Sequence, residues 1–362
     1  MNQAPKSILV RAPNWIGDQV LAYPFFYYLR CAFPKAHITS VCVPWVEDLQ
    51  FRDLVNEVVV LPRVLKEGWR DRFSGLETTS RKLKQMRSWD LGISLPNSLS
   101  AAWLIFRAGA KKRRGYKVDG RALLLNDGLK WDPSSRMHRA QAYVELLPEA
   151  ERPARPAKEF WGIPPANDLE SRISGELNQF NPRRSWPTAD VLEPPEGPYW
   201  VLGPGSTAVS RRWPEEYFTV LARQISDQTG WPGIIVGGAK EAPIAARLCE
   251  DRSLRLKDWT ARGSITSLSK IFSQAKITVC NESGLAHVAS LCGSPVQIIC
   301  GAADPRRTEP IGPGKIRVMV NPVDCWPCER NTCSQPPELQ LQCLKGIRPD
   351  AVWEEMKRAI RT

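Results

Sequence analysis

Short apolar runs alternate with longer amphipathic stretches along most of the chain. In the first half, SILVR at residues 7–11 and HITSVCV at 37–43 flank a helical pattern that ends near Phe33. Later runs of the same kind are VVVL, LGISL, YWVLG, GIIVGG, KITVC and PVQIIC. Strand patterns that alternate with helical patterns predict parallel sheets with crossover helices. We therefore expect an α/β fold of two Rossmann-like domains.

A proline-rich stretch without periodicity separates the two halves, between residues 151 and 198. A chain of 362 residues is long enough for two domains. We predict a first domain at 1–185, a second at 186–345 and a terminal helix at 346–362. The apolar positions of this helix repeat on one face, at Val352, Met356 and Ile360. Such a helix packs either back on the first domain or on the second.

Composition indicates a globular protein of the cytoplasm. Hydrophobic residues make up 43% of the chain and charged residues 24%. No apolar run approaches the roughly 18 residues that span a bilayer, and the N-terminus lacks the apolar region of a signal peptide.

Positive charge is concentrated in the first half. Residues 1–185 hold 29 Lys and Arg against 19 Asp and Glu, a net charge of +10, whereas residues 186–362 hold 21 against 19, a net of +2. A basic domain of this kind suits an anionic ligand. The densest basic run is KKRRGYK at 111–117, for which a solvated surface loop is the alternative.

Two glycine-containing turns at strand ends suggest a phosphate site in the second half. GPGST at 203–207 is followed by Arg211 and Arg212, and NESGLAH at 281–287 places Ser283 at a helix start. Helix N-termini favour phosphate groups, and two such loops suit a diphosphate. The chain has no GxxxxGK[ST] loop and no complete GxGxxG after its first strand, which disfavours P-loop kinases and NAD-dependent dehydrogenases.

One carboxylate, Asp18, stands where the first helix should begin. The strand SILVR breaks at Pro13, and Gly17 gives a tight turn before the acid. An acid here either caps the helix or lies in its first turn, a contribution of about 0.5–2 kcal/mol.

Ten cysteines in a cytosolic chain are expected to be thiols or metal ligands. Six are scattered on strand and helix patterns, where core packing accounts for them. The other four, Cys325, Cys328, Cys333 and Cys343, form C-x2-C-x4-C-x9-C. Both a structural zinc ion and reduced thiols fit this spacing.

Five sequence blocks, in a fixed order from Ile8 to about Leu344, resemble glycosyltransferase family 9. They are ILVRAPNWIGDQVLAYPFFYYLRCAFP, LPNSLSAAWLIFRAGAKKRRGY, LGPGSTAVSRRWPEEYFTVLARQI, CNESGLAHVASLCGSPVQIICGAADP and CWPCERNTC with CL. The family includes the ADP-heptose:lipopolysaccharide heptosyltransferases, and the second and last blocks look closest to the heptosyltransferase II branch. The resemblance implies a GT-B fold, in which two Rossmann-like domains face each other across a cleft. It also implies that the C-terminal domain holds the donor and the N-terminal domain the acceptor.

The resemblance assigns roles to individual residues. Asp18 matches the catalytic base, and no catalytic metal is implied. Arg211 stands where the family has a lysine that binds the donor phosphate, in the block that ends in WP. The arginine keeps the positive charge but replaces a compact ammonium group with a planar guanidinium that can donate two parallel hydrogen bonds. Glu282 stands where the family more often has aspartate, and contact with donor sugar hydroxyls is implied. The donor-binding set is Ser206, Thr207, Arg211, Arg212, Glu241, Glu282, Ser283, Gly284 and His287.

On the acceptor side, the resemblance points to a glycan that carries negative charge and is anchored in the membrane by lipid A. The predicted acceptor-binding set is Asn97, Ser98, Lys111, Lys112, Arg113, Arg114 and Arg121. The protein would then sit peripherally at the inner face of the inner membrane. The aromatic residues Trp103, Phe106 and Tyr116 either help this contact or lie in the core.

The predicted activity is an inverting transfer of L-glycero-D-manno-heptose from ADP-heptose to the inner core of lipopolysaccharide. One alternative is a family member with another nucleotide sugar or glycan acceptor. A more distant one is a noncatalytic protein that binds an anionic polymer. No RNA-binding or helix-turn-helix signature is present, so nucleic acid is not an expected partner.

Overall fold

A computed structural model describes residues 4–63, 69–132, 134–154, 186 and 192–360. The chain divides into two compact units, Met1–Trp186 and Pro187–Thr362. Most of the predicted proline-rich boundary lies outside the described residues. Within those residues, each helix is too short or too polar to cross a lipid bilayer.

The first unit contains a six-stranded sheet whose neighbouring strands are parallel. Its strands are β1 (Ser7–Arg11), β2 (His37–Cys42), β3 (Glu57–Val60), β4 (Leu91–Ser94), β5 (Lys112–Tyr116) and β6 (Asp127–Leu129). The order across the sheet is β3-β2-β1-β4-β5-β6. Strand order therefore reverses between β1 and β4, and open α/β sheets bind ligands at the carboxyl ends of the strands at such a switch point.

The apolar runs became strands because both faces of a parallel sheet are covered. Every residue of β1 is buried, as are all four of β4. The strands predicted near residues 7–11, 37–43, 58–61 and 91–95 are confirmed. The apolar pattern does not predict β5 and β6. β5 contains most of the basic run, for which a surface loop was the alternative. The loop alternative is wrong for these residues.

The predicted helical stretch after β1 is divided into two helices. The helices of this unit are α1 (Ile16–Leu21), α2 (Tyr23–Ala32), α3 (Trp69–Met86), α4 (Leu99–Arg107) and α5 (Arg139–Val144). The division falls at Ala22, and Pro24 lies in the first turn of α2, where a missing N–H costs nothing. Trp89 is fully buried between sheet and helices, and its indole donates to the Leu83 carbonyl at 2.9 Å.

The second unit repeats this sheet. Its strands are β7 (Trp200–Gly203), β8 (Gly233–Ile235), β9 (Leu256–Asp258), β10 (Thr278–Asn281), β11 (Val296–Cys300) and β12 (Ile316–Val320). Neighbouring strands are parallel in the order β12-β11-β10-β7-β8-β9. Strand order reverses between β7 and β10. The two predicted phosphate loops follow these two strands.

The helices of the second unit surround this sheet. They are α6 (Glu215–Thr229), α7 (Ala242–Leu248), α8 (Ser269–Gln274), α9 (Gly284–Leu291), α10 (Pro305–Thr308), α11 (Gln342–Lys345) and α12 (Pro349–Ile360). Pro214 immediately precedes α6 instead of being its first residue. Gly230 ends α6 with a φ of 66°, a left-handed conformation that favours glycine.

The terminal helix α12 forms at the predicted residues and belongs to the core of the second unit. Val352, Trp353 and Met356 are buried with Phe218 and Leu221 of α6. This is the second of the two placements considered for the helix. Burial of a large apolar side chain contributes about 1.5–3 kcal/mol, so this face holds α12 firmly.

Candidate active site

The first candidate crevice lies at the carboxyl ends of β1 and β4. The loops after these strands are joined by a hydrogen bond from the Leu95 amide to the Arg11 carbonyl, at 3.1 Å. Asp18 is the third residue of α1, and the N-cap is Trp15, which has an extended conformation. The N-cap alternative for Asp18 is therefore wrong, and the first-turn position is correct. A carboxylate there interacts favourably with the helix dipole.

Two side chains of α5 approach the Asp18 carboxylate. Nε of Arg139 lies 3.7 Å from Oδ1 of Asp18, and both side chains are about 30% exposed, at 30% and 28%. Tyr143, which is buried, donates a hydrogen bond to Asp18. Burial, and next the negative charge of Asp18, raise the pKa of Tyr143 well above its ordinary value. The phenol thus keeps its proton, and a cation and a donor both favour the charged carboxylate.

The predicted acceptor residues Asn97 and Ser98 lie on the loop after β4, beside the loop that carries Asp18. The Ser98 hydroxyl accepts a hydrogen bond from the Ala101 amide at 3.3 Å and caps α4. Oδ1 of Asn97 accepts a hydrogen bond from Arg121 at 2.7 Å. The structure therefore brings these two residues to the switch point with Asp18.

Arg121 lies in the interior of the first unit, and its predicted contact with the acceptor stays a prediction. Its side chain is fully buried, and it donates to the carbonyls of Tyr116, at 2.6 Å, and Pro96 as well as to Asn97. Burial lowers the pKa of Arg121 to about 10. A buried cation needs several hydrogen-bond acceptors, and the Arg121 guanidinium finds them in Pro96 and Asn97, so it holds the loop after β4 in place.

The two lysines that begin the basic run lie at the amino ends of the strands, the end of the first sheet opposite to Asp18. Lys111 and Lys112 are at the amino end of β5, whereas Asp18 follows the carboxyl end of β1. A five-residue strand spans about 17 Å. Nζ of Lys111 is 2.8 Å from Oδ1 of Asp90, at the same amino edge. The structure therefore does not bring these lysines to the Asp18 crevice.

Arg113 and Arg114 also use their donors within the unit. Arg113 donates to the carbonyls of Leu124 and Ala110, at 2.7 and 2.8 Å. Arg114 forms a two-point ion pair with Asp127, at 2.9 and 3.1 Å, and donates to the Leu147 carbonyl at 2.7 Å. These two guanidinium groups therefore link neighbouring strands and loops, and their contact with the acceptor stays a prediction.

The aromatic residues divide between core and surface. Tyr116 is buried, and its hydroxyl donates to the Ala142 carbonyl at 2.7 Å. Phe106 is 40% exposed on α4. Two tryptophans that drew no attention in the sequence, Trp15 and Trp45, are far more exposed, at 62% and 59%. No pattern in the sequence separates them from the buried tryptophans.

The second candidate crevice lies at the carboxyl ends of β7 and β10. Asn281, the last residue of β10, joins the two loops: its Nδ2 donates to the Pro204 carbonyl at 2.6 Å, and its Oδ1 accepts from the Trp213 amide at 3.0 Å. The Ser206 hydroxyl donates to the Glu282 carbonyl at 3.2 Å. Asn281 is fully buried and was not among the predicted site residues.

Arg211 and Arg212 take different parts in this crevice. A nitrogen of the Arg211 guanidinium lies 2.7 Å from Oε2 of Glu282, whose side chain is mostly buried. Nε of Arg212 donates to the Ser206 carbonyl at 2.7 Å and so supports the loop after β7. Burial, and next the charge of Glu282, raise the pKa of the Cys300 thiol to about 12. Cys300 is therefore a neutral neighbour.

Two buried donors point to a ligand here. Nε of Arg211 and the Ser283 hydroxyl are buried and have no hydrogen-bond partner among the described residues. Buried polar atoms are nearly always satisfied, so each such exception needs an explanation. Ser283 is the N-cap of α9, and Gly284 is its first residue. His287 is buried four residues after Ser283, on the same side of the helix.

Glu241 and Thr207 complete the predicted donor set. A Cβ at Gly205 would lie 2.5 Å from Cγ of Glu241, so the acid packs directly on the loop after β7. One carboxylate oxygen of Glu241 accepts a hydrogen bond from the Gly238 amide at 2.9 Å. Thr207 is exposed on the same loop. The structure thus brings Glu241 to the crevice.

The late cysteine segment lies against the carboxyl end of β11. The Trp326 indole donates to the Gly301 carbonyl at 2.9 Å, and the Asn331 carbonyl accepts from the Ser210 amide at 3.2 Å. The segment therefore braces the turn that carries Arg211. Burial, and next the charges that the other three thiols would carry, raise the pKa of Cys343 to about 11.

All four late cysteines are free thiols. Among the described residues, no group of three or more His, Cys, Asp and Glu side chains is arranged to hold a metal ion. A zinc ion on Cys325, Cys328, Cys333 and Cys343 stays a prediction.

The chain is similar to several known heptosyltransferases. Lipopolysaccharide heptosyltransferase 2 of Escherichia coli K12 is 27% identical over 324 residues, 86% of this chain and 87% of the relative. Lipooligosaccharide heptosyltransferase 2 of Haemophilus ducreyi is 25% identical over 362 residues, 98% of this chain and 99% of the relative. The solved structure of E. coli ADP-heptose lps heptosyltransferase II is 22% identical, with a TM-score of 0.72 and 98% of each chain covered.

The structural likeness confirms the predicted α/β fold of two Rossmann-like domains. A family model described as glycosyltransferase family 9 (heptosyltransferase) matches residues 78–338. This range holds three of the five sequence blocks in full, the CWPCERNTC part of the last block, and the second crevice. The chain therefore belongs to glycosyltransferase family 9, and it is a glycosyltransferase, as its sequence blocks predicted.

Proposed function

We propose that the protein transfers a heptose from ADP-heptose to the inner core of lipopolysaccharide, with inversion at the anomeric carbon. Family membership supports heptose transfer, and the relatives named above are heptosyltransferases of lipopolysaccharide or lipooligosaccharide. The donor site is carried by two buried donors that have no hydrogen-bond partner in the described part of the chain: Oγ of Ser283, at the N-cap of α9, and Nε of Arg211, which pairs with the neighbouring Glu282 through another nitrogen.

The second unit would hold the diphosphate of the donor. The first N–H groups of α9 have no acceptors within the helix, and the helix dipole favours an anion at this end. Arg211 adds a positive charge, and Ser283 adds a hydroxyl donor. As the glycosidic bond breaks, negative charge grows on the departing diphosphate, and fixed donors stabilise it.

The first unit would hold the acceptor. The acceptor hydroxyl attacks the anomeric carbon, a new C–O bond forms on the face opposite the diphosphate, and ADP leaves. Asp18 takes the proton of the attacking hydroxyl as general base. Arg139 and Tyr143 would hold the carboxylate in its charged form and in a fixed orientation, with Tyr143 as a donor that keeps its own proton.

The test uses purified protein, ADP-heptose and a heptose-depleted core oligosaccharide, with release of ADP as the readout. Asp18→Asn should lower kcat by about 10²- to 10⁴-fold, because the amide cannot accept the proton. Glu57→Gln, an acid-to-amide change on β3, is the matched control and should keep kcat. NMR of the product should show inverted anomeric configuration.

Other results would overturn parts of this proposal. Equal kcat for Asp18→Asn and wild type would remove the base. Turnover only with another nucleotide sugar would replace the donor. Binding to nucleic acid with a steep salt dependence and no transfer would favour a noncatalytic role.

We also propose that the protein contacts the inner membrane surface peripherally, because its proposed acceptor is anchored there by lipid. Flotation with vesicles that carry the acceptor lipid should recover the protein, whereas vesicles without that lipid should recover less. Equal recovery with both would argue against acceptor-dependent contact.

A further inference from the structure

We propose that Trp15 and Trp45 form an aromatic platform that stacks on a sugar ring of the acceptor glycan beside Asp18. The inference rests on the proposed function, since it concerns how the acceptor is held. It assigns a carbohydrate subsite to two side chains for which the sequence predicted no role.

The first observation is where exposed apolar surface lies in the first unit. Trp15 follows β1, Trp45 follows β2 and Leu99 follows β4, so all three lie at the carboxyl edge of this sheet. They are 62%, 59% and 53% exposed. Tryptophan is usually well buried, and a cluster of exposed apolar side chains marks a binding surface. This surface lies at the switch point that Asp18 occupies.

The second observation is that the Trp45 ring is held in place. Its Nε1 donates at 2.6 Å to the Asn14 carbonyl, which belongs to the peptide bond before Trp15. The Asn14 side chain in turn accepts a hydrogen bond from Arg11, a buried residue that also donates to the Val41 carbonyl at 3.2 Å. A buried guanidinium thus holds the Asn14 side chain, and the peptide of Asn14 both precedes Trp15 and accepts the hydrogen bond from Trp45. Such preorganisation lowers the entropy that binding costs.

The third observation is the relation of the platform to Asp18. Trp15 is the N-cap of α1, and Asp18 is the third residue of the helix, so both residues lie at its N-terminal turn. A pyranose ring has an apolar face of C–H groups and hydroxyls around its edge. An indole that stacks on this face leaves an edge hydroxyl free for the carboxylate. Aromatic rings combine a large apolar surface with few torsions, which suits this task.

Charges around Trp45 favour a sugar over the membrane as the occupant. Glu47 and Asp48 follow Trp45 closely, and Arg52 lies 3.7 Å from Glu47. Membrane surfaces of the cytoplasmic leaflet are negative and attract basic segments, so two acids beside the ring oppose such contact. The same acids would repel the charged groups of the acceptor, so the ring that stacks here is an uncharged sugar, whose hydroxyls can donate to acidic side chains.

The test compares two acceptors: the delipidated core oligosaccharide, and the same core on lipid A in phosphatidylethanolamine–phosphatidylglycerol vesicles. Trp15→Ala and Trp45→Ala should each raise the acceptor KM about 10-fold or more with both acceptors, because the stacking surface is lost. The KM for ADP-heptose should stay unchanged. Trp15→Phe and Trp45→Phe keep an aromatic face and should recover most of the affinity.

Leu123→Ala is the matched control, since Leu123 is 93% exposed in the same unit and follows β5. It should leave both KM values unchanged. If Trp45→Ala does not fold, Trp15→Ala and the two phenylalanine variants still decide the matter.

Three results would overturn the platform: an unchanged acceptor KM, a rise seen only with the vesicle-borne acceptor, or an equal rise in the donor KM. The second would assign the indoles to the membrane. Failure of the wild-type protein to transfer heptose to either acceptor would instead refute the proposed function.

Discussion

Replacement of Arg121 by methionine should destabilise the first unit severely. Methionine fills a similar volume but donates no hydrogen bond. The carbonyls of Tyr116 and Pro96 and the Asn97 side chain would then lose their donor in the interior. A buried acceptor without a partner costs about 1–3 kcal/mol.

The size of the effect follows from two opposing contributions. Three orphaned acceptors sum to several kcal/mol, whereas removal of a buried cation relieves its desolvation. Removal of one partner from a buried charged network typically costs about 3–5 kcal/mol, which we take as the net value. For a unit of this size, 1 kcal/mol shifts the midpoint by about 2–4 °C, so Arg121→Met should lower it by roughly 6–20 °C.

The assay is thermal denaturation followed by circular dichroism, with Arg107→Met as the control. Arg107 belongs to the same basic region, but it is exposed and pairs with Glu77 at the surface. Exposed ion pairs contribute little, so the control should move the midpoint far less. Equal shifts for the two variants would refute the internal role of Arg121. Arg121→Lys should fall between them, because a lysine cannot reproduce the fork.

Three further changes test other parts of the structure. The hydrogen bond from Arg107 lowers the pKa of Glu77 to about 2, so this carboxylate stabilises the folded protein fully only above its ordinary pKa of 4.5. Glu77→Gln should therefore be less stable than wild type above pH 4.5, and the difference should vanish as the pH falls to about 2; chemical denaturation across this range checks this, and a difference that does not shrink with falling pH would contradict it. Gly205→Ala should displace Glu241, lower the free energy of unfolding by about 1–3 kcal/mol in chemical denaturation and raise the KM for the donor in steady-state kinetics. An unchanged donor KM would mean that this loop does not contact the donor. Met356→Ala should cost about 2–5 kcal/mol in chemical denaturation, since Met356 is fully buried against α6, and a loss below 1 kcal/mol would mean that α12 packs loosely.

The sequence predicted those strands whose side chains are apolar on both faces. β1, β7 and β11 are buried along their whole length, and each stands out as an apolar run. β5 does not stand out as an apolar run, because KRRGY is mostly charged. Its arginines donate to neighbouring loops and strands, Arg113 to the Leu124 carbonyl and Arg114 to Asp127. β9, with the sequence LKD, has no apolar run at all. Their strand character comes from pairing with a neighbour already in place, which no local pattern encodes.

The sequence also located the two crevices, since each predicted loop follows a strand at a switch point. It could not give the directions of long side chains. Arg121 and Arg114 have the composition of a ligand-binding run, yet tertiary contacts turn both inward. Trp15 and Trp45 show the converse, because only the folded chain separates them from buried tryptophans such as Trp89.

The two switch points are built with different chemistry. In the second unit, a neutral amide, Asn281, joins the loops after β7 and β10. In the first unit, the buried guanidinium groups of Arg11 and Arg121 hold the loops after β1 and β4. Burial lowers the pKa of each of these arginines to about 10, and their donors face backbone carbonyls instead of solvent.

This difference changes what the positive charge of the first half means. Arg11, Arg114 and Arg121 are counted in the net charge of +10 for residues 1–185, but their donors are used inside the unit. Net charge therefore overstates the cationic surface available to an anionic acceptor. The proposed recognition of the acceptor next to Asp18 would then depend more on ring stacking and on hydrogen bonds from fixed loops than on charge.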